Sequence, residues 1–225
     1  MILTRILDEP SGKCLLRKYA IASPRGVVVR TAEEALMRVS ESGLEFPLAI
    51  KIVSPDAVHK SDIGGVILGL RDPAALQPAV ESLIAGARDK GLALVGVLIE
   101  EMASAGHELM IGGIMDERFG PCLMLGTGGI YVEVMSDACF SVCPIDEQDA
   151  REMVEQLRSL PMLRGARGKP PLSEPALISA LLAIGGEDGL MMNMRDELVE
   201  LDINPLIVSR DGATACDARI VLKMQ

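Results

Sequence analysis

Aromatic side chains are nearly missing from this chain: no Trp, two Tyr and three Phe make up 2% of its 225 residues. A stacking platform for single-stranded nucleic acid is therefore close to excluded. The core must be filled by Leu, Ile, Val, Ala and Met. Positive charge is also short, with 22 Lys and Arg against 32 Asp and Glu, a net charge of −10. A broad nucleic-acid surface needs clustered cations, so only a local basic site is left open. The five cysteines are odd in number, and Cys139 and Cys143 have no second pair or nearby His. That excludes a disulfide scaffold and a zinc site, and reads as reduced thiols in a cytoplasmic protein. Residues 1–10 carry Arg5, Asp8 and Glu9, unlike a signal peptide. The longest strongly apolar run, 92–99, is far short of a membrane span.

What is present is globular: 49% hydrophobic and 24% charged residues, a length for one large domain or two small ones. Residues 1–102 alternate helix and strand signals. A short amphipathic helix follows Pro10. Strands are expected at 27–29, 47–53, 66–70 and 92–102. Thr31 with Glu34 reads as a capping box before a helix stopped by Gly43, and Asp72 as the cap of a helix closed by Gly91. The middle carries short strands at 108–115, 122–125, 131–135 and 140–143 with glycine between them, which favours antiparallel pairing. Asp146 caps a long helix to about 160, another helix spans 175–184, and strands at 197–204 and 213–220 close the chain. The expectation is an α+β fold in two lobes.

Several residues could carry chemistry. Lys51 lies inside the apolar run Leu48-Ala49-Ile50-Lys51-Ile52-Val53, where burial requires an anionic partner or escape of the ammonium to water. His59, one of only two histidines, sits in a loop with Lys60, Asp62, Gly64 and Gly65. That loop offers a base or nucleophile, or is ordinary surface. Glu100 and Glu108 could flank a small ligand from adjacent strands, or be common strand-end charge. In 197–204, alternation places Val199, Leu201 and Ile203 on one face and Leu198, Glu200, Asp202 and Asn204 on the other. Ala215, Asp217 and Arg219 share a face of the returning strand. Matched faces would gather Glu200, Asp202, Asn204 and Asp217, hard oxygen ligands suited to Mg²⁺; the alternative is a solvated polar face. Gly126-Thr127-Gly128-Gly129 is a tight turn or a phosphate cradle. Residues 163–169 form the one compact cationic loop, facing phosphate, an acidic partner or water.

Taken in order, these segments resemble the β-subunit, or ATP-grasp module, of ADP-forming acyl-CoA synthetases such as acetate–CoA ligase. The stretches are Lys51 to Asp56, His59 to Val66, Gly106-His107-Glu108 with Gly112 and Asp116, and Phe119-Gly120-Pro121. Gly126 to Ile130, Val132-Glu133, Leu163 to Gly168, Asp202-Ile203-Asn204-Pro205-Leu206 and Asp217-Ala218-Arg219-Ile220 complete the set. The succinyl-CoA synthetase β-subunit is similar at the nucleotide-contacting positions. The resemblance implies the ATP-grasp fold, two α/β lobes with ATP between them: a lid lobe at 21–98 and a core lobe at 1–20 and 99–225.

The resemblance also implies roles. Lys51 matches the lysine on ATP phosphates, Glu100 and Met102 the linker that holds the adenine, and Glu108 the acid on the ribose side. Asn204 and Asp217 match the two magnesium ligands, and His59 the histidine that transiently carries phosphoryl. Cofactors would be ATP/ADP and Mg²⁺. The partner would be an α-subunit with the CoA-binding domain and a second phosphohistidine, in a cytoplasmic hetero-oligomer that engages neither nucleic acid nor membrane. The reaction joins acid, CoA and ATP into acyl-CoA, ADP and phosphate. Two positions depart from the family pattern: Ser141 stands where Arg is usual, and Thr127 where Leu or another apolar residue is usual. The rival readings are an ATP-grasp carboxylate–amine ligase and a non-catalytic nucleotide-sensing subunit.

Overall fold

The computed structural model describes residues 3–57, 60–129 and 137–224, without the Arg167 side chain. Two compact units result, one of Pro24–Ala103 and one of Met1–Ser23 with Ser104–Gln225. A boundary at residue 98 would cut a strand, Gly96–Glu101, whose hydrogen bonds all lie in the smaller unit. The chain therefore crosses between units several residues later than expected.

The smaller unit contains β2 (Gly26–Val29), α2 (Ala35–Ser42), β3 (Leu48–Val53), β4 (Val66–Leu70), α3 (Leu76–Asp89) and β5 (Gly96–Glu101). Its sheet order is β2-β5-β3-β4, with every neighbour antiparallel. The alternating helix and strand signals thus yield a split crossover, in which β5 lies between β2 and β3. Leu48, Ile50, Ile52, Val97 and Ile99 share a core with Val39, Leu76, Val80 and Leu83 of the two helices. Ala49, Lys51, Leu98 and Glu100 occupy the alternate positions and point to the other face. The Thr31 box forms only in part: the Glu34 carboxylate accepts the Thr31 N–H at 3.0 Å, but α2 has no side-chain cap of its own. Asp72 caps a 3₁₀ turn ahead of α3, accepting the Ala74 N–H at 2.9 Å.

In the larger unit β1 (Thr4–Leu7) and α1 (Glu9–Lys18) come first. Then follow β6 (His107–Asp116), β7 (Gly120–Thr127), β8 (Ala138–Val142), α4 (Glu147–Gln156), α5 (Leu160–Leu163), α6 (Glu174–Gly185) and α7 (Leu190–Asn193). The chain ends in β9 (Leu198–Val208), β10 (Ala213–Ala215) and β11 (Arg219–Lys223). The antiparallel sheet runs β1-β11-β9-β6-β7-β8, with β10 also on β9. Strand β1 was not anticipated, and the strand expected at 131–135 lies outside the described residues. Leu109, Ile111, Leu123, Leu125, Leu201, Ile203 and Ile220 face a core closed by Met153, Val154, Leu177, Ile178 and Leu181. The stretch Glu174–Asn193 is long and apolar enough to cross a bilayer, yet 56% of it is buried among these core neighbours. The helix expected to reach residue 160 stops at Gln156. The Arg158 and Ser159 N–H groups donate to the Asp137 carboxylate at 2.8 and 2.9 Å, which draws the chain out of the helix.

Candidate nucleotide and metal site

In the smaller unit Lys51 is buried at 6% exposure, and its ammonium does not escape to water. Its Nζ meets Glu100 Oε1 at 2.5 Å, and Glu100 is 2% exposed. Register explains the contact: Lys51 pairs with Leu98 and Ala49 with Glu100, so Lys51 and Glu100 are diagonal neighbours on one face. The anionic partner that the lysine requires is therefore a second residue of the expected site. Met102 follows on the same segment, its N–H donating to Pro47 O at 3.2 Å and its side chain partly exposed. Glu101 points away from that pair and takes a fork from Arg25, Nη2 at 2.5 Å and Nε at 3.0 Å, which lowers its pKa.

His59 lies outside the described residues. Its loop leaves β3 after Val53 and returns in β4 at Val66. On the return side the Gly65 N–H donates to Lys60 O at 2.7 Å, and Gly65 O accepts the Ile52 N–H at 2.9 Å.

The larger unit brings together the oxygen-rich strands. Arg219 pairs with Asp202, and Ala215 with Leu206. Both belong to one register, continued between them by a Cys216 N–H bond to Pro205 O at 2.9 Å. That register sets Asp217 across from Asn204. Glu200, Asp202 and Asn204 share the open face as expected, but Val199 and Leu198 exchange roles. A register shift opposite Val221 and Leu222 leaves Val199 half-buried and puts Leu198 in the core. Ala215 lies in the core, unlike the half-buried Asp217 and Arg219. Glu200 is engaged by Arg219 Nη1.

The glycine turn closes on the same place. The Gly129 N–H donates to Asn204 Oδ1 at 3.3 Å, and the Gly128 N–H to Glu108 O at 2.9 Å. A Cβ at Gly128 would stand 2.4 Å from Leu109 O, and one at Gly129 2.1 Å from Glu108 Oε2, with a φ of +71° besides. Only glycine fits either position. Glu108 and Asn204 are thereby joined through the turn. Glu100 and Glu108 do not stand on adjacent strands, because β5 and β6 belong to different sheets.

The cationic loop is less available than its composition implies. Arg164 is held by Glu155 and by Glu174, the latter at 3.2 Å, and both acids raise its pKa. Other functional candidates were missed by sequence reasoning. Lys13 and Glu9 form a fully buried ion pair at 2.6 Å on α1, signalled only by their i,i+4 spacing. Arg219 keeps its Nε buried without a hydrogen-bond acceptor beside Asp202. Asp137, at 6% exposure, opens the Asp-x-x-Phe stretch Asp137-Ala138-Cys139-Phe140 that precedes Ser141, a pattern that by itself assigns the residue no role.

The donor set fits magnesium. Among the described residues no group of three or more His, Cys, Asp and Glu could hold a metal. An amide oxygen and a carboxylate facing each other suit an ion that keeps its remaining positions for water and phosphate.

A family profile described as the ATP-grasp domain matches residues 3–222. The β-subunit of acetate–CoA ligase (ADP-forming) I from Pyrococcus furiosus is 39% identical, over 97% of this chain and 92% of the relative. The 4-hydroxybutyrate–CoA ligase (ADP-forming) of Nitrosopumilus maritimus is 33% identical over 92% of this chain, which spans 29% of that longer protein. Among solved structures, the acetyl-coenzyme A synthetase 1 of Ca. Korarchaeum cryptofilum superimposes with a TM-score of 0.89 at 35% identity. The match covers 97% of this chain and 94% of that one. The same enzyme with coenzyme A and Mg-AMPPCP gives a TM-score of 0.81, over 97% and 93% of the two chains at 35% identity. The chain belongs to the ATP-grasp family, within the group formed by the β-subunits of ADP-forming acid–CoA ligases.

Proposed function

We propose that this chain is the ATP-binding β-subunit of an ADP-forming acyl-CoA synthetase. The observation that carries the reading is the pairing of Asn204 with Asp217 across one register, with the glycine turn bonded to Asn204. A magnesium ion held there would neutralise charge on the transferring phosphoryl group. Asn204 Oδ1 and the Asp217 carboxylate would hold it. Lys51, its ammonium fixed by Glu100, is assigned to the nucleotide phosphates. The segment from Glu100 to Met102 is assigned to the adenine, and Glu108 to the ribose side. His59 is the phosphoryl carrier: its neutral imidazole nitrogen forms the N–P bond as the bond from the γ-phosphorus to the bridging oxygen breaks, and ADP leaves. The phosphoryl group then passes to a partner α-subunit with the CoA-binding domain, where acid and CoA become acyl-CoA and phosphate. The naming of the Pyrococcus relatives as β-subunits supports a separate partner. All five cysteines are free thiols, which supports a reducing compartment, the cytoplasm.

The test is incubation of the chain with γ-labelled ATP, Mg²⁺ and the α-subunit encoded beside it. Acid-labile label is expected on both chains, and His59→Ala should lose it from this one while ATP binding stays within about threefold. Label on neither chain would overturn the reading in favour of a nucleotide sensor. Amide formation from acid and amine without CoA would overturn it in favour of a ligase.

A further inference from the structure

Beneath the glycine turn lies a buried polar cluster. The Thr127 hydroxyl donates to Asp137 Oδ2 at 2.9 Å and lies 3.2 Å from the Ser159 hydroxyl. The Thr127 N–H donates to Asp137 O at 3.0 Å. The same carboxylate receives the Arg158 and Ser159 N–H groups at 2.8 and 2.9 Å. Thr127, Asp137 and Ser159 are each no more than 7% exposed. Thr127 leads directly into Gly128 and then Gly129, whose N–H groups hold Glu108 O and Asn204 Oδ1. A buried carboxylate with this many donors fixes the segments that supply them, because losing any one leaves a desolvated acceptor short.

We propose that Asp137, Thr127 and Ser159 form a clasp that positions the glycine turn on Asn204 and so sets the magnesium dependence of nucleotide binding. The proposal rests on the reading of Asn204 as a magnesium ligand. These are positioning residues: none touches the nucleotide, and they act through the Gly129 N–H on the amide oxygen that would face the ion. Orienting partners of metal ligands characteristically change metal affinity more than they change the fold.

The experiment is calorimetric titration of the full chain with a non-hydrolysable ATP analogue across a range of Mg²⁺ concentrations, with thermal midpoints recorded in parallel. Thr127→Val keeps the shape and deletes the hydroxyl; half-saturating Mg²⁺ is expected to rise about tenfold. Thr127→Ser restores the donor and should return to within about twofold of wild type. Ile178→Ala, a core truncation on α6 outside the clasp, should lower the midpoint and leave the Mg²⁺ requirement unchanged. Should Thr127→Val not fold, Ser159→Ala removes one donor from the same carboxylate and should raise the requirement about threefold. An unchanged Mg²⁺ requirement in the clasp variants, or an equal rise in Ile178→Ala, would overturn the clasp while the functional reading stands. Wild-type protein that binds no nucleotide at any Mg²⁺ concentration would overturn both.

Discussion

The two units carry their polar residues in opposite ways. In the smaller unit Lys51 and Glu100 are both buried and spend their charge on each other across 2.5 Å. In the larger unit Glu108 is exposed, its backbone carbonyl taking the Gly128 N–H, and Asn204 and Asp217 are half-exposed, their side-chain oxygens accepting the Gly129 and Ala218 N–H groups. A cation inside an apolar strand has to arrive already compensated, since a lone buried charge costs several kcal/mol or more, by about the order seen for unpaired ions. Oxygens meant for a hydrated cation can wait at the surface, where water solvates them. One site is organised by charge pairing and the other by backbone donors.

The largest expected effect breaks the paired site. Lys51→Ala leaves Glu100 buried without this cation and should cost about 3–5 kcal/mol, read as a lower denaturant midpoint. The double variant Lys51→Met, Glu100→Gln removes both charges at similar volume and should recover most of that loss. Phosphoryl transfer should stay abolished in both. A double variant no more stable than Lys51→Ala would show that the pair is not what makes the single change costly.

The exposed site should respond in the reverse sense. Asp217→Asn keeps an oxygen for the Ala218 N–H, which Oδ1 now accepts at 2.8 Å, so stability should move by less than about 1 kcal/mol. Binding of the Mg²⁺–nucleotide complex should weaken more than about tenfold, the scale of one charge-assisted contact. Calorimetry with and without Mg²⁺ checks both parts. A large stability loss with unchanged binding would make Asp217 a structural residue rather than a metal ligand.

The same contrast governs what the sequence disclosed. Asn204 and Asp217 were legible because strand alternation and a short Gly-containing turn dictate a register, and register survives small errors in strand length. The exchange of Val199 with Leu198 was not, because a bulge leaves no compositional trace. Lys51 announced that it needed a partner but not which one; Glu100 became the partner only through the antiparallel pairing of β3 with β5, a long-range choice. The assignment of Glu100 and Glu108 to adjacent strands failed for the same reason, since sequence proximity does not say where one sheet ends. Asp137 was visible only as the start of an Asp-x-x-Phe stretch: its meaning lies in donors 10, 21 and 22 residues away.

Asp137 offers the finest test, since it is a buried charge like Glu100 but is held by neutral donors rather than a cation. Burial alone would raise its pKa. The Arg158 N–H, the Ser159 hydroxyl and N–H and the Thr127 hydroxyl together reverse that and hold it below the usual value. A carboxylate with a depressed folded-state pKa contributes stability that is present above its unfolded value, about 3.9, and is lost as pH falls through the folded one. Wild-type protein should therefore outlast Asp137→Asn at pH 7, and the gap in thermal midpoint should close as pH drops below about 4. A gap for Asp137→Asn that is constant from pH 7 down to pH 3 would mean that the donors hold the side chain's shape and not its charge.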